Sequence, residues 1–189
     1  NKVNILLFSL AFSFAHGQSW ELFGKDTINK IDINGKKQDK WVLMGKHKPG
    51  SCYKEEQRAE EGKYTDNRKV GTWLEYYCNN NVKSKLTFVN GRPDGYAQMF
   101  HENGKISEEG TWKNNAYTGG FKRYYENGQV AQEKTFNAAG KTDGKVTYYY
   151  PNGKKELEFE ASNGQENGKL VRYYNTGQVR EEMNFAEGK

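Results

Sequence analysis

The 189-residue sequence has only 3 Pro, 2 Cys and 3 Met, and hydrophobic residues make up 34% of it. With a mean hydropathy of -1.06, it lacks the apolar side chains for a globular core of ordinary richness. Beyond the N-terminus no apolar run approaches the roughly 18 to 20 residues that a membrane span needs. No stretch sustains 3.6-residue apolar spacing, so helix should be scarce. Yet the chain does not read as disordered, because disordered segments are rich in Pro and poor in aromatics. Here aromatics reach 14%, with 13 Tyr, beside 21 Gly. Aromatic, Gly-rich and polar together point to short strands joined by tight turns.

The usual marks of catalysis are missing. Of the 3 His, His47 and His101 have no Cys or carboxylate at metal-ligand spacing, and His16 lies in the N-terminal apolar segment. Ser and Cys residues have no identifiable base, and no phosphate-binding loop is present. The expectation is a protein with no catalytic residues, no metal site and no cofactor. Basic residues outnumber acidic ones by 29 to 24, but Lys and Glu are interspersed, as in KEEQRAEEGK (54–63) and KKELEFE (154–160). Nucleic-acid binders concentrate Lys and Arg on one face or in a run, so no nucleic-acid partner is expected.

Residues 1–17, NKVNILLFSLAFSFAHG, combine an early Lys2, an apolar run from Ile5 to Phe14, and small residues at Ala15 and Gly17. This is the pattern of a secretory signal cleaved before Gln18, which places the mature chain in the periplasm or outside the cell. Residues 18–46 then form a lead-in with a degenerate hairpin around DINGKKQDKW (32–41), and residues 47–189 carry a repeat.

The repeat dominates the sequence. Gly71, Gly95, Gly119, Gly144 and Gly168 are separated by 24, 24, 25 and 24 residues. In the five copies, five positions past these anchors stand Tyr76, Phe100, Tyr124, Tyr149 and Tyr173, followed by Tyr77, His101, Tyr125, Tyr150 and Tyr174. Nine positions past stand Asn80, Gly104, Gly128, Gly153 and Gly177, preceded by Asn79, Asn103, Asn127, Asn152 and Thr176, so that an Asn-Gly pair recurs three times. Asn-Gly between aromatic or β-branched runs signals a hairpin, because a type I′ turn needs positive φ at both central residues. Each period is read as one hairpin, and ten to twelve short antiparallel strands are expected in an almost all-β chain.

A turn at the eighth and ninth positions pairs offsets that sum to 17: Tyr77 with Val82, Tyr125 with Val130, Tyr174 with Val179, Trp73 with Leu86, Leu170 with Met183, Arg172 with Glu181 and Lys122 with Glu133. Alternation of faces then puts offsets +2, +6, +11, +15 and +17 on an apolar face. The opposite face is polar except for the aromatics at +5, which therefore become the candidate partner-binding residues. Glu109, Glu133, Glu158 and Glu182 recur on every second strand, about 9.6 Å apart. That is too far to share one ion, so cross-strand pairing with Lys is expected. Extending the period backwards puts an anchor at residue 47 and Cys52 and Cys78 on strands separated by a third. Bridged Cα atoms lie about 4.4 to 6.8 Å apart, so two free thiols are expected.

The motifs GFKRYYENGQVAQEKTFN (120–137) and YYPNGKKELEF (149–159), with the repeat they belong to, resemble the MORN-repeat-variant proteins of bacteria, across about residues 47 to 189. The resemblance implies an all-β fold, an elongated, twisted antiparallel sheet of stacked β-hairpins. It implies a protein-binding or scaffolding role, and for some members an antitoxin role. The chain is thus expected to be an exported, non-catalytic module that binds a protein partner or an envelope polymer through Tyr76, Phe100, Tyr124, Tyr149 and Tyr173. An antitoxin or immunity protein that neutralises a partner toxin is the alternative, and a glycan-binding or glycan-cleaving protein, for which no acid pair can be placed, is a third reading.

Overall fold

The computed structural model describes residues 17–185; the expected signal segment, apart from Gly17, lies outside them. Fourteen antiparallel strands form one open sheet in strict sequence order. They are β1 Ser19–Phe23, β2 Asp26–Ile31, β3 Lys37–Met44, β4 Arg58–Thr65, β5 Arg68–Tyr76, β6 Val82–Val89, β7 Arg92–Phe100, β8 Ile106–Lys113, β9 Ala116–Tyr124, β10 Val130–Phe136, β11 Gly144–Tyr149, β12 Lys155–Ser162, β13 Gln165–Tyr173 and β14 Val179–Phe185. The only helical element among the described residues is a 3-10 turn, Gly45–His47. The chain is all-β as expected, with more strands than the ten to twelve anticipated. The difference lies in β1 to β4, where the sequence period is degenerate.

The two ends of the hairpins use different turns. Between copies, Asp66-Asn67, Asn90-Gly91, Asn114-Asn115 and Asn163-Gly164 all have positive φ and join directly paired residues such as Val89 and Arg92. These are the two-residue turns expected from the sequence. Within copies the Asn-Gly pair does otherwise. The Gly128 amide donates to the Tyr125 carbonyl at 2.8 Å and the Tyr125 amide to the Gln129 carbonyl at 2.9 Å, and of this loop only Gly128 has positive φ. This is a three-residue loop with a glycine bulge. Asn80 takes the left-handed conformation where the first copy lacks that glycine.

The extra turn residue moves the register. Pairing sums to 17 as far as Glu75 with Ser84, then shifts so that Tyr76 opposes Val82. Likewise Tyr124 opposes Val130 and Tyr173 opposes Val179. The expected partners Tyr77, Tyr125 and Tyr174 are therefore corrected, and the +11 residues join the +5 aromatics on the polar face. Trp73 with Leu86, Leu170 with Met183 and Arg172 with Glu181, and Lys122 with Glu133 pair as expected.

The anchor glycines sit inside strands, not in turns. Gly168 lies in a bulge where β13 advances from Asn167 to Val171 while β12 retreats only from Glu160 to Glu158. Its φ is +75°, and a Cβ there would meet nothing within 4 Å, so backbone conformation rather than space demands glycine. Such bulges increase the local twist of a strand, here once per repeat.

Burial comes from the +2 column. Trp73, Ala97, Phe121, Val146 and Leu170 are all 1–3% exposed. Around Trp73 and Phe121, aromatic rings laid along the sheet take the place of a second layer. Tyr64 and Phe88 meet Trp73 edge-on at 5.0 and 6.3 Å, and Tyr117 and Phe136 meet Phe121. Lysines close the surface: Lys69 Nζ lies 4.0 Å from the Trp73 ring centroid and Lys134 Nζ 4.8 Å from that of Phe136.

The disulfide is the clearest correction. Cys52 and Cys78 are bridged, with Cα atoms 5.9 Å apart. Residue 47 is not an anchor of the repeat. Asp39, with positive φ, pairs with Tyr64 as Gly71 pairs with Phe88, so the first strand of this copy starts eight residues before position 47. The inserted residues widen its loop, which folds across the sheet end instead of forming a strand at Cys52. There Tyr53 donates its hydroxyl to the Tyr76 carbonyl at 2.5 Å, and Gln57 Nε2 donates to the Cys78 carbonyl at 2.8 Å.

Candidate functional site

The five candidate residues fall where the sequence placed them, on the polar face, and all are half-buried. What the sequence reading missed is the group that holds them. Tyr76 donates its hydroxyl to Glu61, Tyr124 to Glu109 at 2.6 Å, Tyr149 to Glu133 at 2.8 Å and Tyr173 to Glu158 at 2.5 Å. Each carboxylate belongs to the second strand of the preceding copy. The remaining ring breaks the pattern on both sides at once: it is Phe100, and Lys85 occupies the acidic position in the copy before it. A visible signal for the pairing therefore existed in the sequence, since the one aromatic without a hydroxyl follows the one copy without the carboxylate.

The Glu column also forms the expected lysine pairs: Lys122 with Glu133 at 2.9 Å, Lys145 with Glu158 at 3.0 Å and Lys169 with Glu182 at 2.8 Å. Glu109 instead accepts from Tyr124, Tyr96 and Gln98. Among the described residues no group of three or more His, Cys, Asp or Glu side chains is placed to hold a metal ion.

A second set of contacts runs along the turn rim. Tyr77 donates to the Phe100 carbonyl, Tyr125 to the Tyr149 carbonyl and Tyr150 to the Tyr173 carbonyl, and His101 Nε2 lies 3.0 Å from the Tyr124 carbonyl. Asn79, Asn103, Asn127 and Asn152 donate to backbone carbonyls of the next turn. His101 is thus a structural substitute for Tyr. These bonds fix the backbone beneath the +5 rings, so the rings stand at repeated, preorganised positions.

The electrostatics follow from these bonds. Burial and the bond to Glu61 push the Tyr76 hydroxyl up to about 12. Burial and Glu133 do the same for Tyr149, burial and Glu109 for Tyr96, and the bond to Glu158 with burial for Tyr173. Burial would raise Glu158, but bonds from Lys155, Tyr173 and Lys145 outweigh it and hold the carboxyl at about 2. A hydroxyl raised above its unfolded value of roughly 10 stabilises the fold below that pH. The contribution is lost as pH rises through about 12. Tyr76, Tyr96, Tyr149 and Tyr173 are therefore expected to ionise later in the native protein than in the chain unfolded by denaturant. Phenolate absorbance in an alkaline titration checks this, and coincident curves would contradict it.

A family model described as MORN repeat variant matches residues 69–90, 93–114, 117–138, 142–163 and 166–187, together more than half of the chain. No curated protein matches. Among solved structures, a mutant of S. aureus TarM in complex with Fondaparinux, alpha-GlcNAc-glycerol and UDP is 11% identical, with a TM-score of 0.35. The match covers 51% of this chain and 19% of that one, and a likeness so slight carries no argument.

Proposed function

The chain belongs to the MORN repeat variant family, and on that footing we propose that it is an exported, non-catalytic binding array that engages a protein partner at the cell envelope through its tyrosine face. Repeats of this family are protein- or membrane-binding modules and are not known as catalysts. Among the described residues no helix is long and apolar enough to cross a membrane.

The observation that carries the reading is the column of Tyr76, Phe100, Tyr124, Tyr149 and Tyr173, set beside a row of charged side chains on the more polar face. A ring whose hydroxyl is already bonded loses little freedom on binding, and preorganisation of this kind lowers the cost of association. Tyr is also enriched where proteins meet partners. Export is supported by the signal pattern of residues 1–17, and the Cys52–Cys78 bridge suits an oxidising compartment.

Capture from an envelope extract with the 18–189 chain tests the proposal. Tyr124→Phe with Tyr149→Phe keeps the rings and removes two hydrogen bonds. Each lost bond should cost about 0.5 to 1.5 kcal/mol, seen as a Tm lowered by a few degrees, with capture retained. Tyr124→Ser with Tyr149→Ser, assayed below its melting transition, should lose capture. Full capture by the folded Ser variant would overturn the reading.

A further inference from the structure

Consider one row of the polar face, read across the strands by register. From β4 to β10 it runs Glu61, Leu74, Lys85, Gln98, Glu109, Lys122, Glu133. Arg58 pairs with Glu61 at 3.2 Å, and Tyr76 also donates to that carboxylate. Glu109 accepts from two tyrosines and Gln98, and Lys122 is paired with Glu133. Lys85 is exposed and, among the described residues, is the one charge of this row with no ion pair or hydrogen bond.

The cross-strand neighbours of Lys85 are uncharged, Leu74 on one side and Gln98 on the other. On the same face Tyr76 opposes Val82 and Phe100 opposes Ile106, and Leu74 and Phe100 are half-buried. In the other copies the corresponding ring is a tyrosine clasped to a carboxylate. Here the clasp is absent on both sides: an unpaired ammonium stands at the position of the carboxylate, and the ring that would meet it has no hydroxyl. Deepening the reading of this face as a binding surface, we propose that Lys85 and Phe100 form the acidic-residue subsite of the array, which docks an extended acidic segment of a protein partner. A partner carboxylate meets Lys85, and an adjoining apolar side chain lies on Phe100 and Ile106. Charge complementarity selects this occupant. Lys85 is the unmatched charge of the row, while the carboxylates on either side are already satisfied from within and offer nothing to a basic segment.

The test is a swap that the repeat itself supplies. Lys85→Glu with Phe100→Tyr rebuilds the pair found at Glu109 and Tyr124, so the variant should fold with an equal or higher Tm. The probe is a short labelled peptide of alternating Glu and Leu, compared at low salt with versions carrying Gln or Lys for Glu. The native chain should prefer the Glu peptide to the Gln peptide by up to about fivefold, the most that one exposed ion pair supplies. The swap should abolish that preference. Equal binding of the Glu and Gln peptides by the native chain, or an unchanged preference in the swap, overturns the proposal, as does binding only to anionic lipid vesicles. Tyr124→Ser separates the two readings. If it abolishes partner capture from the extract while Lys85 shows no acidic preference, the tyrosine face stands and this subsite falls. If the Lys85 preference survives and Tyr124→Ser and Tyr149→Ser leave capture intact, the subsite stands alone.

Discussion

Trp73→Ala should be among the most damaging single changes in the chain, costing about 3 to 5 kcal/mol and lowering Tm by roughly 10 °C at this size. The indole is 3% exposed, donates to the Lys63 carbonyl at 3.1 Å, and lies across Gly62 so closely that a Cβ there would penetrate it. Gly62→Ala alone should therefore cost about 1 to 3 kcal/mol by overpacking. The two effects should not add. With the indole removed, the new methyl group occupies vacated space, so Gly62→Ala should be nearly silent in the Trp73→Ala background. Thermal melts of the four proteins in this cycle measure the coupling, and simple additivity would show that the indole does not rest on Gly62.

Loss of the Cys52–Cys78 bridge should be the second large effect. It closes a sequence separation of 26 residues, and crosslinks of that length contribute about 2 to 4 kcal/mol by restricting the unfolded chain. Replacing both cysteines by Ser should lower the urea midpoint accordingly. The damage should concentrate in the loop before β4, where Tyr53 and Gln57 donate to the backbone carbonyls of Tyr76 and Cys78. Hydrogen exchange should locate the loosening there and leave β9 to β14 unchanged. Mass spectrometry of unreduced, alkylated protein settles the premise: two alkylated thiols would refute the bridge.

The regular part of this architecture was legible because it is written in period and face. Gly71 to Gly168 marked the repeat, and offsets up to Glu75 and Ser84 gave the pairing. The rest failed for local reasons. One loop residue more than a type I′ turn carries, placed by Gly128, moved every +11 residue to the other face. The anchor glycines marked the period without revealing that each sits in a bulge, because positive φ serves bulges as well as turns. An insertion of eight residues in the loop between Met44 and Arg58 shifts the phase, and it brings Cys52 within bridging distance of Cys78. The tyrosine hydroxyls lay beyond an argument from faces alone, since their partners come from the neighbouring copy. Comparing Phe100 with Lys85 was the way to find them.

That clasp between neighbouring copies sets where the chain can be cut and rejoined. A ring at +5 and the carboxylate that holds it lie on opposite sides of a joint, so the heritable module is not the hairpin bounded by glycines. Excising residues 71–94, a glycine-to-glycine unit of 24, would leave Phe100 facing Glu61, a carboxylate with no hydroxyl to bind. Excising residues 77–100, of equal length, would remove Phe100 and Lys85 together and leave Tyr76 on Glu61 and Tyr124 on Glu109. Shortening or lengthening of the array by duplication is therefore coherent only when the break falls between a ring and the next acidic position, a rule of phase that the visible glycine rhythm conceals.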